Sequence, residues 1–134
     1  MLFFTLPKNI QEKHFGKVVY KEIGEFVVRQ EAGNERIINI SASIATQRWV
    51  SFYANLNYKG AICHDPSPRN SWELFADDNS FIRQLKERNI KYFLWTEKTL
   101  SNNNVNIMKY NKYLKELGRW KHYDTGEMIL FEVI

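Results

Sequence analysis

Hydroxyl, imidazole and carboxylate side chains stand at three places in this chain where an α/β sheet would put them to use. Ser41 and Ser43 follow the apolar run 36–40, His64 and Asp65 follow the run 61–63, and Thr96 and Glu97 follow the run 90–95. If those runs are parallel strands, these residues lie just outside their carboxyl ends, where ligands of open α/β sheets collect. Each also has a plainer use. Ser41 and Ser43 can cap the helix that follows, Asp65 before Pro66 is a turn former, and Glu97 can simply be solvated. Among the tryptophans, Trp49 falls on an apolar helical stripe and reads as core. Trp72 lies in a loop-like stretch and is the better candidate for an exposed platform that stacks on a sugar ring or a base.

The motifs that would name a reaction are missing. No Gly-x-Gly-x-x-Gly follows the first strand and no Walker-type lysine loop occurs, which argues against dinucleotides and triphosphates. No Gly-x-Ser-x-Gly elbow presents a nucleophile. His14, His64 and His122 lack metal-type spacing. The single cysteine, Cys63, rules out an internal disulfide and a multi-cysteine metal site. Its neighbour His64 would point to the opposite face of a strand, so Cys63 reads as a buried thiol. Asp65, Glu73 and Glu97 could converge on the magnesium of a nuclease. The acid and lysine alternating on one strand are absent, with Lys91 and Glu97 at opposite ends of the third strand region. No catalytic residue, metal or cofactor is expected.

At 134 residues the chain is one domain, long enough to bury roughly 70% of its unfolded surface. Hydrophobic residues at 44% and charged residues at 25% are ordinary globular values, and 15% aromatic residues imply a core rich in large rings. The net charge of +4 is spread among carboxylates. Without clustering it gives no reason to expect nucleic acid, and it suits an anionic membrane surface equally well. No signal peptide is visible, and no apolar run approaches the ~20 residues that span a bilayer. Residues 1–7 are nonetheless apolar, either an extra strand on the sheet or the stump of a longer hydrophobic segment.

The elements alternate. Val19, Ile23, Phe26 and Val27 form one helical face over 20–30, with Gly33 as a stop. Strand 36–40 leads to a helix over 44–54 whose inward stripe is Ala45, Trp49, Phe52 and Tyr53. Strand 61–63 is followed by a proline-containing loop over 64–70, a short helical turn over 71–75, and a helix with Phe81, Ile82 and Leu85 that ends at Asn89 before strand 90–95. Ile107, Tyr110, Leu114 and Leu117 mark a last helix stopped by Gly118. Strands 119–123 and 128–133, joined across Gly126, read as an antiparallel hairpin. Helices between short apolar strands imply parallel neighbours joined by crossovers. The expected fold is a three-layer Rossmann-like α/β sandwich, a mostly parallel sheet of about five strands ending in an antiparallel hairpin. The expected strand order is 2-1-3, with the hairpin beyond strand three.

Residues 20–27 (Tyr20-Lys21-Glu22-Ile23-Gly24-Glu25-Phe26-Val27) resemble the helix that opens the soluble C-terminal domain of multispanning GT-C type glycosyltransferases, the dolichyl-phosphate-mannose-transferase-like and aminoarabinose-transferase-like proteins. The helix ending in Phe52-Tyr53-Ala54 is similar to their next helix. Residues 85–95 resemble their helix followed by a strand with a tyrosine, and residues 128–133 their closing strand. The resemblance covers nearly everything from Tyr20 onward as a pattern of spacing and residue type. It implies a membrane-associated domain on the extracytoplasmic face, with residues 1–14 membrane-proximal. Its partners would be the membrane-embedded part of the same polypeptide and a lipid-linked sugar or acceptor, with no nucleic acid. It carries over no catalytic residue, because the acidic catalytic residue of such enzymes lies in the membrane part. A free-standing small-ligand-binding α/β module is the alternative.

Overall fold

The computed structural model describes residues 6–32, 36–56, 70–98 and 106–134, with side chains from residue 18 onward. Helix α1 (Leu6–Gln30) turns Ile23 and Val27 into the core, with Val19, Tyr20 and Phe26 half-buried beside them. Strand β1 (Ile40–Ser41), helix α2 (Ile44–Ala54), helix α3 (Phe81–Glu87) and strand β2 (Tyr92–Thr96) follow, and strands β3 (Leu114–His122) and β4 (Gly126–Val133) close the chain. Asn89, at φ 55°, ends the α3 region in the left-handed conformation that asparagine tolerates. The sheet order is β1-β2-β4-β3. Among the described strands β1 and β2 run parallel, Ile40 opposite Tyr92, and β4 is antiparallel to both β2 and β3.

This overturns the expected five-strand, mostly parallel Rossmann-like sandwich. The described residues form three α-helices and a four-stranded mixed sheet. The largest difference lies over 107–117, where a 3-10 turn (Ile107–Tyr110) runs straight into β3 instead of forming a helix. The i, i+3, i+4 spacing there loses to β4, which pairs with β3 along its whole length. A register shift between Glu116 and Gly118 leaves Leu117 as the extra residue of a bulge, and that one-residue slip mimics a helical period. The expected helix stop, Gly118, sits inside β3 with the Trp120 ring over it. From residue 6 onward the N-terminal stretch belongs to α1 and adds no strand. The expected strand 61–63, with Cys63, lies outside the described residues, as does Gly33.

Two apolar clusters cover the two faces of the sheet. On the α3 face, rings dominate: Phe81 meets Phe93 at 4.9 Å between centroids, Phe75 meets Phe81 at 6.3 Å, and Trp72 stands edge-on to Phe93 at 6.5 Å. On the α1/α2 face the core is aliphatic, with Ile23, Val27, Ile40, Val50, Ala54, Leu94 and Leu130. Gly24 lets the two helices there approach closely, since a Cβ at that position would lie 2.6 Å from the Tyr53 Cβ.

Helix α2 is turned opposite to its apolar stripe. Thr46, Gln47, Val50, Ser51 and Ala54 are buried, while Ala45, Trp49 and Phe52 face outward. The Asn55 side chain supplies the reason. Its Oδ1 accepts from the Ile38 N–H at 2.6 Å, and its Nδ2 donates to the Ile38 and Ser51 carbonyls at 3.1 and 2.9 Å. Ile38 precedes the two-residue β1, so the Asn55 amide stands in for a missing strand partner and fixes the rotation of α2. The expected strand over 36–40 is shortened for the same reason.

Candidate functional site

The carboxyl end of β2, the amino end of α2 and the β3–β4 turn meet at one end of the molecule. Cross-strand pairing sets Thr96, Met128 and Trp120 in one row on the α1/α2 face, with His122 in the next row. A polar chain runs through this end. Ser43 Oγ donates to Thr46 Oγ1 at 3.0 Å, Thr46 hydrogen-bonds the Tyr20 hydroxyl, and the Tyr20 ring stacks on His122 at 5.2 Å. His122 Nδ1 accepts from the Asp124 N–H at 3.1 Å. That bond assigns the imidazole proton to Nε2 when the ring is neutral.

Three titratable groups, His122, Tyr20 and Glu73, are pushed toward their uncharged forms. Burial lowers the His122 pKa, with the Asp124 charge opposing it in part. Burial raises the Tyr20 phenol. Burial also raises Glu73, with neighbouring backbone N–H groups opposing it in part. Several buried polar atoms have no hydrogen-bond partner within the protein. Gln47 Oε1, Thr96 Oγ1, His122 Nε2 and Thr125 Oγ1 surround the network; Ser41 Oγ, Ser71 Oγ, Trp72 Nε1 and Glu73 Oε2 lie around the Ala42–Ser71 bridge. An unpaired buried polar group costs about 1–3 kcal/mol, so this concentration at one end is the strongest mark of a site in the molecule. Neutral donors and acceptors are suited to hydroxyl or amide groups rather than to ions.

The residues anticipated from the strand ends are distributed unevenly. Ser43 joins the network, and Thr96 is fully buried beside it. Ser41 is fully buried but alternation points it to the other face of β1, away from Ile40 and Ala42. Glu97 closes the hairpin instead: its Oε2 accepts from the Glu127 N–H at 2.9 Å, folded against Gly126 at φ +71°. Trp72 is not an exposed platform. Only 1% of it is accessible, because its backbone N–H donates to the Ala42 carbonyl and carries the ring onto the sheet. His64 and Asp65 lie outside the described residues. Of the nuclease carboxylates, Glu97 is committed to a backbone donor, and Glu73 has one oxygen buried without a protein partner. Among the described residues no three His, Cys, Asp or Glu side chains group as metal ligands.

Tyr20, Thr46, Gln47 and His122 were not singled out by strand-end reasoning. For His122 a signal existed, since alternation from Trp120 through His122 places both on one face. A shallow groove of about 460 Å³ lies elsewhere, around α3, between Ile82, Lys86, Tyr110 and Tyr113. Its charges are engaged, with Arg83 paired to Glu87 at 3.7 Å and Lys86 over Tyr113 at 5.3 Å. The polar end is therefore the better candidate. No protein-family model, curated protein or solved structure matches the chain.

Proposed function

We propose that this chain is an auxiliary domain of a polyprenyl-phosphate-sugar-dependent membrane glycosyltransferase, placed on the extracytoplasmic face and non-catalytic alone. It contacts the acceptor, or covers the active site of the membrane-embedded part of the same polypeptide, with its polar end. The buried, unpartnered neutral groups around Thr96 and His122 carry this reading. Sugar hydroxyls both donate and accept, as these groups require, and the Tyr20 and Tyr123 rings stacked on His122 add apolar faces of the kind sugar rings pack against. The segments behind the glycosyltransferase resemblance meet in one framework, with Gly24 against Tyr53 and with Tyr92 and Ala54 in one cluster. Among the described residues no helix is long and apolar enough to cross a membrane, so the spans would be encoded outside them.

The test is the natural reading frame. It should extend upstream into several hydrophobic spans, and membranes carrying the longer protein should transfer sugar from a polyprenyl-phosphate donor. Thr96→Val with His122→Phe should lower that transfer about tenfold. A frame that starts at Met1 and encodes no spans contradicts the reading. The same polar end also suits a free-standing module that binds a small neutral ligand. That alternative predicts saturable binding of a sugar or polyol by the isolated chain, lost in the same double variant.

A further inference from the structure

Helix α2 buries its polar side and presents its apolar side to the surroundings. Its outward residues are Ile44, Ala45, Arg48, Trp49, Phe52 and, just past its end, Leu56. Trp49 and Phe52 are each 39% exposed and Leu56 52%. Tyr53, half-buried, packs against both rings, 6.4 Å from Trp49 and 5.3 Å from Phe52. The Asn55–Ile38 hydrogen bonds bring the exposed Arg36 and Ile37 beside the same helix end. Five of the ten large exposed hydrophobic residues among those described belong to this one surface, which makes it a patch rather than scatter.

Among the described residues of this surface the charged side chains are Arg36 and Arg48, both positive, and α2 carries no Asp or Glu. We infer that this face lies on an anionic lipid surface, with the Trp49 and Phe52 rings at the boundary between headgroups and acyl chains and the two guanidinium groups among the phosphates. Tryptophan and tyrosine favour that boundary, and arginine keeps its stem on apolar surface while its head stays with the phosphates. A second copy is a poorer occupant, since a two-fold contact through this face would bring arginines together without a carboxylate to offset them. The inference extends the membrane placement proposed above and is tested separately from it.

The experiment uses the isolated chain with phosphatidylcholine vesicles, with and without phosphatidylglycerol, followed by flotation and tryptophan emission. The chain should float with the anionic vesicles and much less with phosphatidylcholine alone. Its emission should shift to the blue on binding. Trp49→Phe should remove most of that shift and leave flotation in place. Phe52→Ser should weaken binding about tenfold, the effect of withdrawing one aromatic side chain from the lipid. Arg48→Glu should weaken it about tenfold on anionic vesicles only. Circular dichroism of each variant should match the parent, because the substituted side chains are outside the core. The inference is overturned if the chain ignores both vesicle types, or if Phe52→Ser and Arg48→Glu float as the parent does. It is equally overturned by a concentration-dependent dimer that Phe52→Ser abolishes, which would make a second copy the occupant. If vesicles are ignored while the natural reading frame still encodes membrane spans, this inference alone falls.

Discussion

The two faces of the sheet are built by opposite rules. On the α3 face, the largest rings go inward, as hydrophobicity dictates: Trp72, Phe75, Phe81, Phe93 and Tyr110 are buried in one cluster. On the α2 face, Thr46, Gln47 and Ser51 go inward and Trp49 and Phe52 stay out. The first face is held by area and ring packing. The second has an aliphatic core of its own, but the rotation of α2 on it is set by hydrogen bonds from one amide, Asn55, and by a close helix approach at Gly24. A helix whose apolar stripe points outward has had its rotation set by something other than hydrophobic burial. The surface it leaves is apolar and partly exposed.

The contrast predicts different responses to substitution. Phe81 touches Phe75, Phe93 and Tyr110, so Phe81→Ala should cost about 4 kcal/mol in urea unfolding, the loss of a core ring plus its cavity. A cost below about 1 kcal/mol would mean that face is loosely packed. Asn55→Ala leaves the Ile38 N–H and C=O without their partner and should cost about 3 kcal/mol. If it is neutral, the rotation of α2 has another origin.

The third response is to pH. Burial sets the His122 pKa below its ordinary value, so the unfolded chain takes up the proton first as pH falls. Stability should therefore drop as pH goes below about 6.5, and the loss should level off once the folded imidazole is also protonated. His122→Phe should remove this part of the Tm-against-pH curve. Parallel curves for parent and variant would contradict a buried neutral imidazole.

What was legible in the sequence follows the same division. The Phe81, Leu85 and Asn89 pattern placed α3 and its end, and Gly126 between two strand-like runs placed the hairpin. Both are local signals. The rotation of α2 was not legible, because a second face of the helix carries its own compatible set, Thr46, Val50 and Ala54. The contacts that choose between the faces, Asn55 with Ile38 and Gly24 with Tyr53, join distant segments. Trp72 was misplaced for the same reason, since only the long-range Ala42–Ser71 bridge draws it inward. The β3 bulge hid a strand behind a helical spacing. At the candidate site, Ser43 and Thr96 could be found from strand ends. The chain from Thr46 through Tyr20 to His122 joins three elements, and the one-dimensional pattern does not show that they meet.

Acrylamide quenching of tryptophan emission tests the orientation of α2 most directly. Trp49 is 39% exposed and Trp72 is 1% exposed. In the free chain, Trp49→Phe should remove most of the readily quenched emission, and Trp72→Phe should leave it nearly unchanged. The reverse result, with quenchable emission lost in Trp72→Phe and kept in Trp49→Phe, would contradict the inverted helix and the membrane-facing surface derived from it.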